Sequence, residues 1–137
     1  MKFIPRPGRT LRFIRVEPAH RPMKKWKAIF QDEKNKQFIR YFGGLHEDGT
    51  PYPDFTKGAT EAQMQHYRKR HNKDLTGSIA KAKEHNDELF LASPGMLSME
   101  VLWGSKTSMK DNIKAYRETY LGRKYLPEVK QEDVGKA

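Results

Sequence analysis

The sequence predicts an α+β fold, with a small antiparallel β-hairpin or sheet packed against three to four helices and an extended basic arm at the N-terminus. Three features carry this expectation. Residues 24–42 alternate apolar and polar side chains around a turn, residues 60–120 change to helical spacing behind recognisable cap residues, and residues 1–22 combine prolines with a concentration of positive charge.

The arm is legible first in the charge distribution. The 137 residues carry a formal net charge of +10. Residues 1–27 hold nine Lys or Arg against one acid, Glu17, while the remaining 110 residues hold 18 bases and 16 acids. Pro5, Pro7, Gly8, Pro18 and Pro22 argue against helix. Arg6, Arg9, Arg12 and Arg15 recur every third residue, a period that polyproline-II geometry places on one edge. Leu11, Phe13, Ile14 and Val16 lie between them, with Phe3 and Ile4 upstream. Residues 1–22 are therefore expected to form an extended arm that packs little on its own body and docks in a partner's groove. Such asymmetry points to a polyanion or an acidic protein surface.

A single compact domain is expected over residues 23–126, with a polar tail over 127–137. Trp26, Ala28 and Phe30 alternate with Lys25, Lys27 and Ile29, residues 32–35 supply a turn, and residues 38–42 form a second β-rich run. Four glycines and two prolines make residues 43–58 a loop. Thr60 with Gln63 fits a capping box that opens a helix to about residue 72. A second helix is expected over 78–91. Ser93 followed by Pro94 reads as an N-cap and first-turn proline, and Ser108 with Asp111 opens a last helix that stops near Gly122. Trp26, Phe30, Phe38, Tyr67, Leu97, Leu102, Trp103, Ile113 and Tyr116 are the expected core.

Catalytic and metal chemistry find no matching pattern. His66 and His71 are five apart, which does not put them on one helix face as a zinc pair requires. Gly43-Gly44 is followed by no Lys-Ser or Lys-Thr and by no helix start, so a phosphate loop is not expected. Glu47, Asp48 and Asp54 lack Ca²⁺-loop spacing. Cysteine is absent, which excludes disulfides and thiolate sites and fits assembly in cytosol or nucleus. The expectation is a non-enzymatic binding protein with no cofactor, no metal and no small-molecule substrate. No apolar run has the length of a secretion signal or a membrane span.

A second basic cluster, Arg68, Lys69 and Arg70, sits on the first helix. Three consecutive helical positions sweep some 300° of phase, so one of the three is expected to turn inward to a carboxylate, with Asp54 the candidate partner of Arg70. Aromatics interleave with bases over residues 24–42, as on a surface that stacks single-stranded bases. A small sheet needs the same rings for its core, which is the expected use.

The ordered combination Phe42-Gly43, Asp54-Phe55-Thr56, Tyr67-Arg68-Lys69-Arg70-His71, Ser93-Pro94-Gly95 and Leu102-Trp103-Gly104 resembles an uncharacterised family of small basic proteins of nucleocytoplasmic large DNA viruses, with chlorella-virus and mimivirus relatives. The resemblance runs from about Lys24 to Tyr120. It departs from the pattern in a longer loop at 44–53, an expanded segment at 74–92, and Lys57-Gly58 where relatives often carry a His. It implies a virion setting, and it makes Phe42, Gly43, Asp54, Thr56, His71 and Trp103 structural positions of the fold. Two functions follow as expectations. One is a minor capsid component whose arm residues Arg6, Arg9, Arg12, Arg15, Leu11, Phe13 and Ile14 bind neighbouring capsid proteins. The alternative is a DNA-binding or genome-packaging protein of the same particle.

Overall fold

The computed structural model describes residues 8–126; residues 1–7, with Arg6, and the expected tail at 127–137 lie outside the described residues. Strands β1 (Leu11–Arg21), β2 (Lys24–Asp32) and β3 (Gln37–Gly44) form one antiparallel sheet in that order. Four helices follow: α1 (Glu61–Arg70), α2 (Asn72–His85), the short α3 (Pro94–Leu97) and α4 (Met109–Tyr120). The α+β class is thus observed. Single 3₁₀ turns occupy Phe55–Lys57 and Glu88–Ala92, and a π-helical turn occupies Ser98–Leu102.

The β2–β3 hairpin turns where the sequence places it. The Asp32 carboxylate accepts the main-chain N–H groups of Lys34 at 2.9 Å and Lys36 at 2.8 Å, and Asn35 takes the left-handed conformation at φ 65°. The N-terminal segment corrects the arm expectation. Its backbone is extended, but it is the sheet's first strand rather than a free arm, and the folded body starts well before residue 23. Leu11 and Phe13 are 3% and 5% exposed and belong to the core. Phe13 meets Phe30 edge-to-face at 4.9 Å and Tyr116 at 6.0 Å. Leu11 and Phe13, read as groove-docking groups, are spent on the protein's own interior, and Val16 packs against it while Ile14 stays half-buried outside that core, because a three-stranded sheet buries more apolar area than a hairpin.

The ladder also replaces the polyproline-II argument. Phe13 pairs with Phe30 and Arg15 with Ile29, so Ile14 is an extra, bulged residue. Without it, Arg12 and Arg15 would point to opposite faces. With it, Arg12 opposite Gln31 and Arg15 opposite Ile29 share one face.

Leu11, Phe13, Ala28, Phe30 and Phe42 on the other face pack against Leu91, Met96, Leu97, Val101, Leu102, Ile113 and Tyr116. Five of the nine expected core residues are buried here: Phe30, Leu97, Leu102, Ile113 and Tyr116. Trp26, Phe38 and Trp103 line its margin, and Tyr67 stands outside it in a ring stack.

Local cap chemistry sets the helix starts. Thr60 and Gln63 form the full reciprocal capping box of α1. Ser93 caps α3 with Pro94 in its first turn, and the Ser108 hydroxyl accepts from Asp111 N–H at 3.3 Å. The second helix differs from expectation, beginning at Asn72 and ending at His85. Asn86 stops it in the left-handed conformation, φ 51°, donating its N–H to the Ala82 and Lys83 carbonyls, and Asp87 caps the next turn.

Beyond Asn86 lies Glu88, fully buried. Its carboxylate accepts the N–H groups of Leu11 at 2.8 Å, Gly122 at 3.3 Å and Arg123 at 2.7 Å, while its own N–H donates to the Arg9 carbonyl at 3.0 Å. Burial raises the Glu88 pKa and outweighs the three donors, which pull it down.

Two measurements test this account. Phe13→Ala should cost about 3–5 kcal/mol in denaturant unfolding, as a core deletion does; an arm residue would cost under about 0.5 kcal/mol. Glu88→Gln should cost roughly 1–3 kcal/mol, because its amide N–H₂ faces donors that need an acceptor. A raised pKa means the protonated carboxyl is the better-tolerated form in the fold. Glu88's titration-linked contribution is therefore complete below the ordinary carboxyl range and is lost as pH rises through the raised value. The melting-temperature gap between the native protein and Glu88→Gln should be widest in acid and narrow toward neutral pH.

Candidate functional site

The sheet's outer face is the first candidate. Ladder pairing sets Arg12, Gln31 and Gln37 in one row, Arg15, Ile29 and Ile39 in the next, and Glu17, Lys27 and Tyr41 in a third. Arg21 lies over the Tyr41 ring at 4.3 Å. Glu17 holds both Arg15 at 3.1 Å and Lys27 at 3.2 Å, and these bonds lower its pKa, Arg15 foremost. Arg12 bonds Gln31 at 3.0 Å, and among the described residues neither Arg12 nor Arg21 has a carboxylate in ion-pair reach. Arg12, Arg15 and Lys27 thus share this face with one acid, and Arg21, which the ladder sets opposite Lys24 beyond a register shift, reaches it by lying over Tyr41. Ile39 is 41% exposed in the middle row of the face.

Incorporating β1 changes the charge balance of the body. Residues 8–126 hold 23 Lys or Arg against 14 acids, and nine of those bases against three acids lie in 11–44, the sheet and its turns. Arg9, by contrast, turns toward the helical side, pairing with Asp87 at 3.4 Å and lying 4.9 Å over Phe38. Lys36 and Arg40 approach the same ring at 5.3 Å and 6.0 Å. The interleaved aromatics are mainly core: Phe30 and Phe42 are buried, and Tyr41 is the one aromatic in the outer rows.

The second basic cluster divides as its helical phase requires, with a correction to the residue and partner. Arg68, not Arg70, turns inward, and it meets Glu100 at 3.0 Å rather than Asp54. Its other nitrogen donates to the carbonyls of Met99 at 2.6 Å and Trp103 at 3.0 Å. These carbonyls belong to the π-helical turn and its C-cap, and the wider winding leaves acceptors for a guanidinium fork. Lys69 and Arg70 remain exposed. Asp54 pairs instead with Lys25 at 3.0 Å, side chains 4% and 11% exposed, and accepts Thr56 N–H at 2.8 Å.

The motif residues converge although they are dispersed in sequence. Arg68 fixes the turn that carries Trp103. Trp103 stacks on Tyr67 at 4.4 Å and 10°, and Tyr67 stacks on His71 at 4.3 Å. His71 in turn reaches Asp74 at 3.3 Å. Burial raises the Tyr67 pKa, so this phenol stays neutral near pH 7. Gly104 follows Trp103 because a Cβ there would collide with the Glu100 carbonyl and come within 2.7 Å of Asn112 Oδ1. At Gly43, φ is 79°, a left-handed conformation that strains any side chain, and a Cβ would also press within 3.3 Å of Lys25, Leu102 and Trp26 alike. Phe42 beside it is core.

Between this stack and the end of the sheet opens a cleft of about 670 Å³, bordered by Lys25, Tyr52, Asp54, His66, Arg70 and Trp103 among others. Sequence reasoning missed it, since Tyr52 sits in a loop and Lys25 in a strand with no shared pattern. Asp48 serves its own turn, accepting Thr50 N–H at 2.9 Å. Among the described residues no three His, Asp or Glu are grouped so as to hold a metal ion, and no helix is long and apolar enough to cross a membrane.

Arg68→Ala should cost roughly 1–3 kcal/mol, from two orphaned carbonyls and an unpaired Glu100, and should weaken the near-ultraviolet circular dichroism of the Trp103–Tyr67 stack. Lys69→Ala should stay within about 0.5 kcal/mol of the native protein.

Comparison of the chain with protein-family models, with curated proteins and with solved structures returns no match.

Proposed function

We propose that this is a non-enzymatic DNA-binding protein of a large double-stranded DNA virus particle, holding the phosphate backbone on the outer face of its sheet. The observation that carries the reading is the placement of Arg12, Arg15, Arg21 and Lys27 on one solvent-facing sheet surface against Glu17 alone. Phosphate contact needs many exposed cations on one surface, and each contact releases counterions. Two grounds for preferring a capsid neighbour are gone. The folded unit is strongly basic rather than balanced, and Leu11 and Phe13 serve the core instead of a foreign groove. With Tyr41 the single aromatic in the outer rows and Arg21 over it, the face suits backbone contact rather than base stacking. The virion setting rests on the family resemblance.

A specific observation favours a second reading, a minor capsid protein bound to an acidic neighbour. Ile39 stands exposed amid the cations, where a protein partner would cover it and a phosphate backbone would not.

Duplex binding measured by fluorescence anisotropy across a salt series separates the two. Arg12→Gln with Arg21→Gln, which orphans no carboxylate, should make the log–log salt slope shallower by up to about 0.9 per lost phosphate contact, equally for unrelated sequences. Ile39→Ser should leave duplex affinity unchanged. Unaltered slopes in the double variant, together with loss of Ile39→Ser from purified particles, would put the capsid reading in front.

A further inference from the structure

The cleft beside the Trp103–Tyr67–His71 stack takes no part in the outer-face contact, and its lining differs in kind. Its walls include Tyr52, Pro53, Ala59, Ala62, Leu102 and Trp103, and its volume of about 670 Å³ falls in the range that encloses a bound ligand. Two of the exposed large apolar side chains, Met23 and Tyr52, lie at this end of the sheet. The Leu45 N–H donates to the Met23 carbonyl at 3.1 Å, and the Tyr52 N–H to the Gly44 carbonyl at 3.2 Å. A recess with exposed apolar groups at its margin is the surface form of a binding anchor.

Ring geometry narrows the occupant. Tyr67 already stacks with Trp103 at 4.4 Å and His71 at 4.3 Å and has the Arg70 guanidinium over it at 5.9 Å, and His46 lies on Tyr52 at 3.8 Å. A nucleobase would find these faces already occupied, whereas an aliphatic or aromatic side chain needs only the ring edges and the Ala, Pro and Leu surfaces. Charge narrows it again. Lys25 and Asp54 neutralise one another, while Arg70 borders the cleft with no carboxylate in ion-pair reach among the described residues. The uncompensated charge is positive.

We infer that this cleft is a docking site for a partner-protein segment in which a bulky apolar residue is flanked by Asp or Glu. The apolar side chain fills the recess, and the carboxylates meet Arg70 and His66 at its border. The site is separate from the phosphate-binding face, so one molecule can hold DNA and a protein at once.

Panning a randomised peptide library on the full-length protein tests this, with counter-selection on Ala62→Phe, which fills the cleft from the exposed side of α1. Circular dichroism checks that the variant folds, and Tyr52→Ser, which removes a wall at an exposed position, serves as a second depleted target. Peptides that distinguish the native protein from both variants should carry Leu, Phe, Trp or Met next to acidic residues. Arg70→Glu should weaken the best of them about tenfold or more. Failure to recover any distinguishing peptide, or recovery of basic or wholly polar ones, would overturn the inference. Duplex affinity should be the same in Ala62→Phe as in the native protein, which keeps this result separable from the fate of the sheet-face reading.

Discussion

The Glu88 carboxylate, with no exposed surface, accepts main-chain N–H groups from Leu11, Gly122 and Arg123, and the Glu88 N–H reaches back to the Arg9 carbonyl. A buried carboxylate is costly unless its lone pairs are engaged, and here both oxygens are. The constraint locates the first residue of β1, the turn after α4 and the 3₁₀ segment after α2 relative to one another. The position of β1 is what completes the sheet, and the completed sheet is what aligns the basic residues. The basic outer face is therefore downstream of a contact some distance from it, on the opposite side of the strand ladder.

The Ile14 bulge converts that position into a surface. A regular strand would divide Arg12 and Arg15 between core and solvent, which the core could not accept without a buried partner. One inserted residue removes the conflict, keeping Phe13 inward and both guanidiniums outward. A similar economy operates around Arg68, whose single side chain satisfies two carbonyls of a π-helical turn and its C-cap and one carboxylate, thereby positioning the ring stack that walls the cleft.

What the sequence made legible was local. Thr60 with Gln63, Ser93 with Pro94, Ser108 with Asp111, and the Asp32–Asn35 turn each act within four residues, and each is found where its chemistry predicts. The inward turn of one member of the Arg68–Arg70 run also followed from helical phase. The partner did not, because Glu100 lies 32 residues away and nothing in its neighbourhood marks it. β1 was misread for a physical reason: Pro18, the bulge and the arginines all break the period-two signal that announces a strand. The outer face was hidden by the same error, and the cleft by its dependence on residues from a strand, a loop, a helix and a π-helical turn.

The Glu88 node also orders events in time. β1 and β2 are neighbours in sequence and can zip together early, as can the β2–β3 hairpin, since both closures span short loops. Leu11 N–H, however, finds its acceptor 77 residues on, and the carboxylate that supplies it lacks two of its donors until Gly122 and Arg123 arrive. Arg123 then also donates to the Gly8 carbonyl at 3.4 Å, joining the two ends of the described chain. During synthesis the nascent sheet must therefore keep its apolar side partly uncovered until α4 and the turn beyond it have emerged. The stretch just after α4, and not the strands, supplies the contacts that close this fold, so a growing chain cannot complete the Glu88 node before that stretch is available.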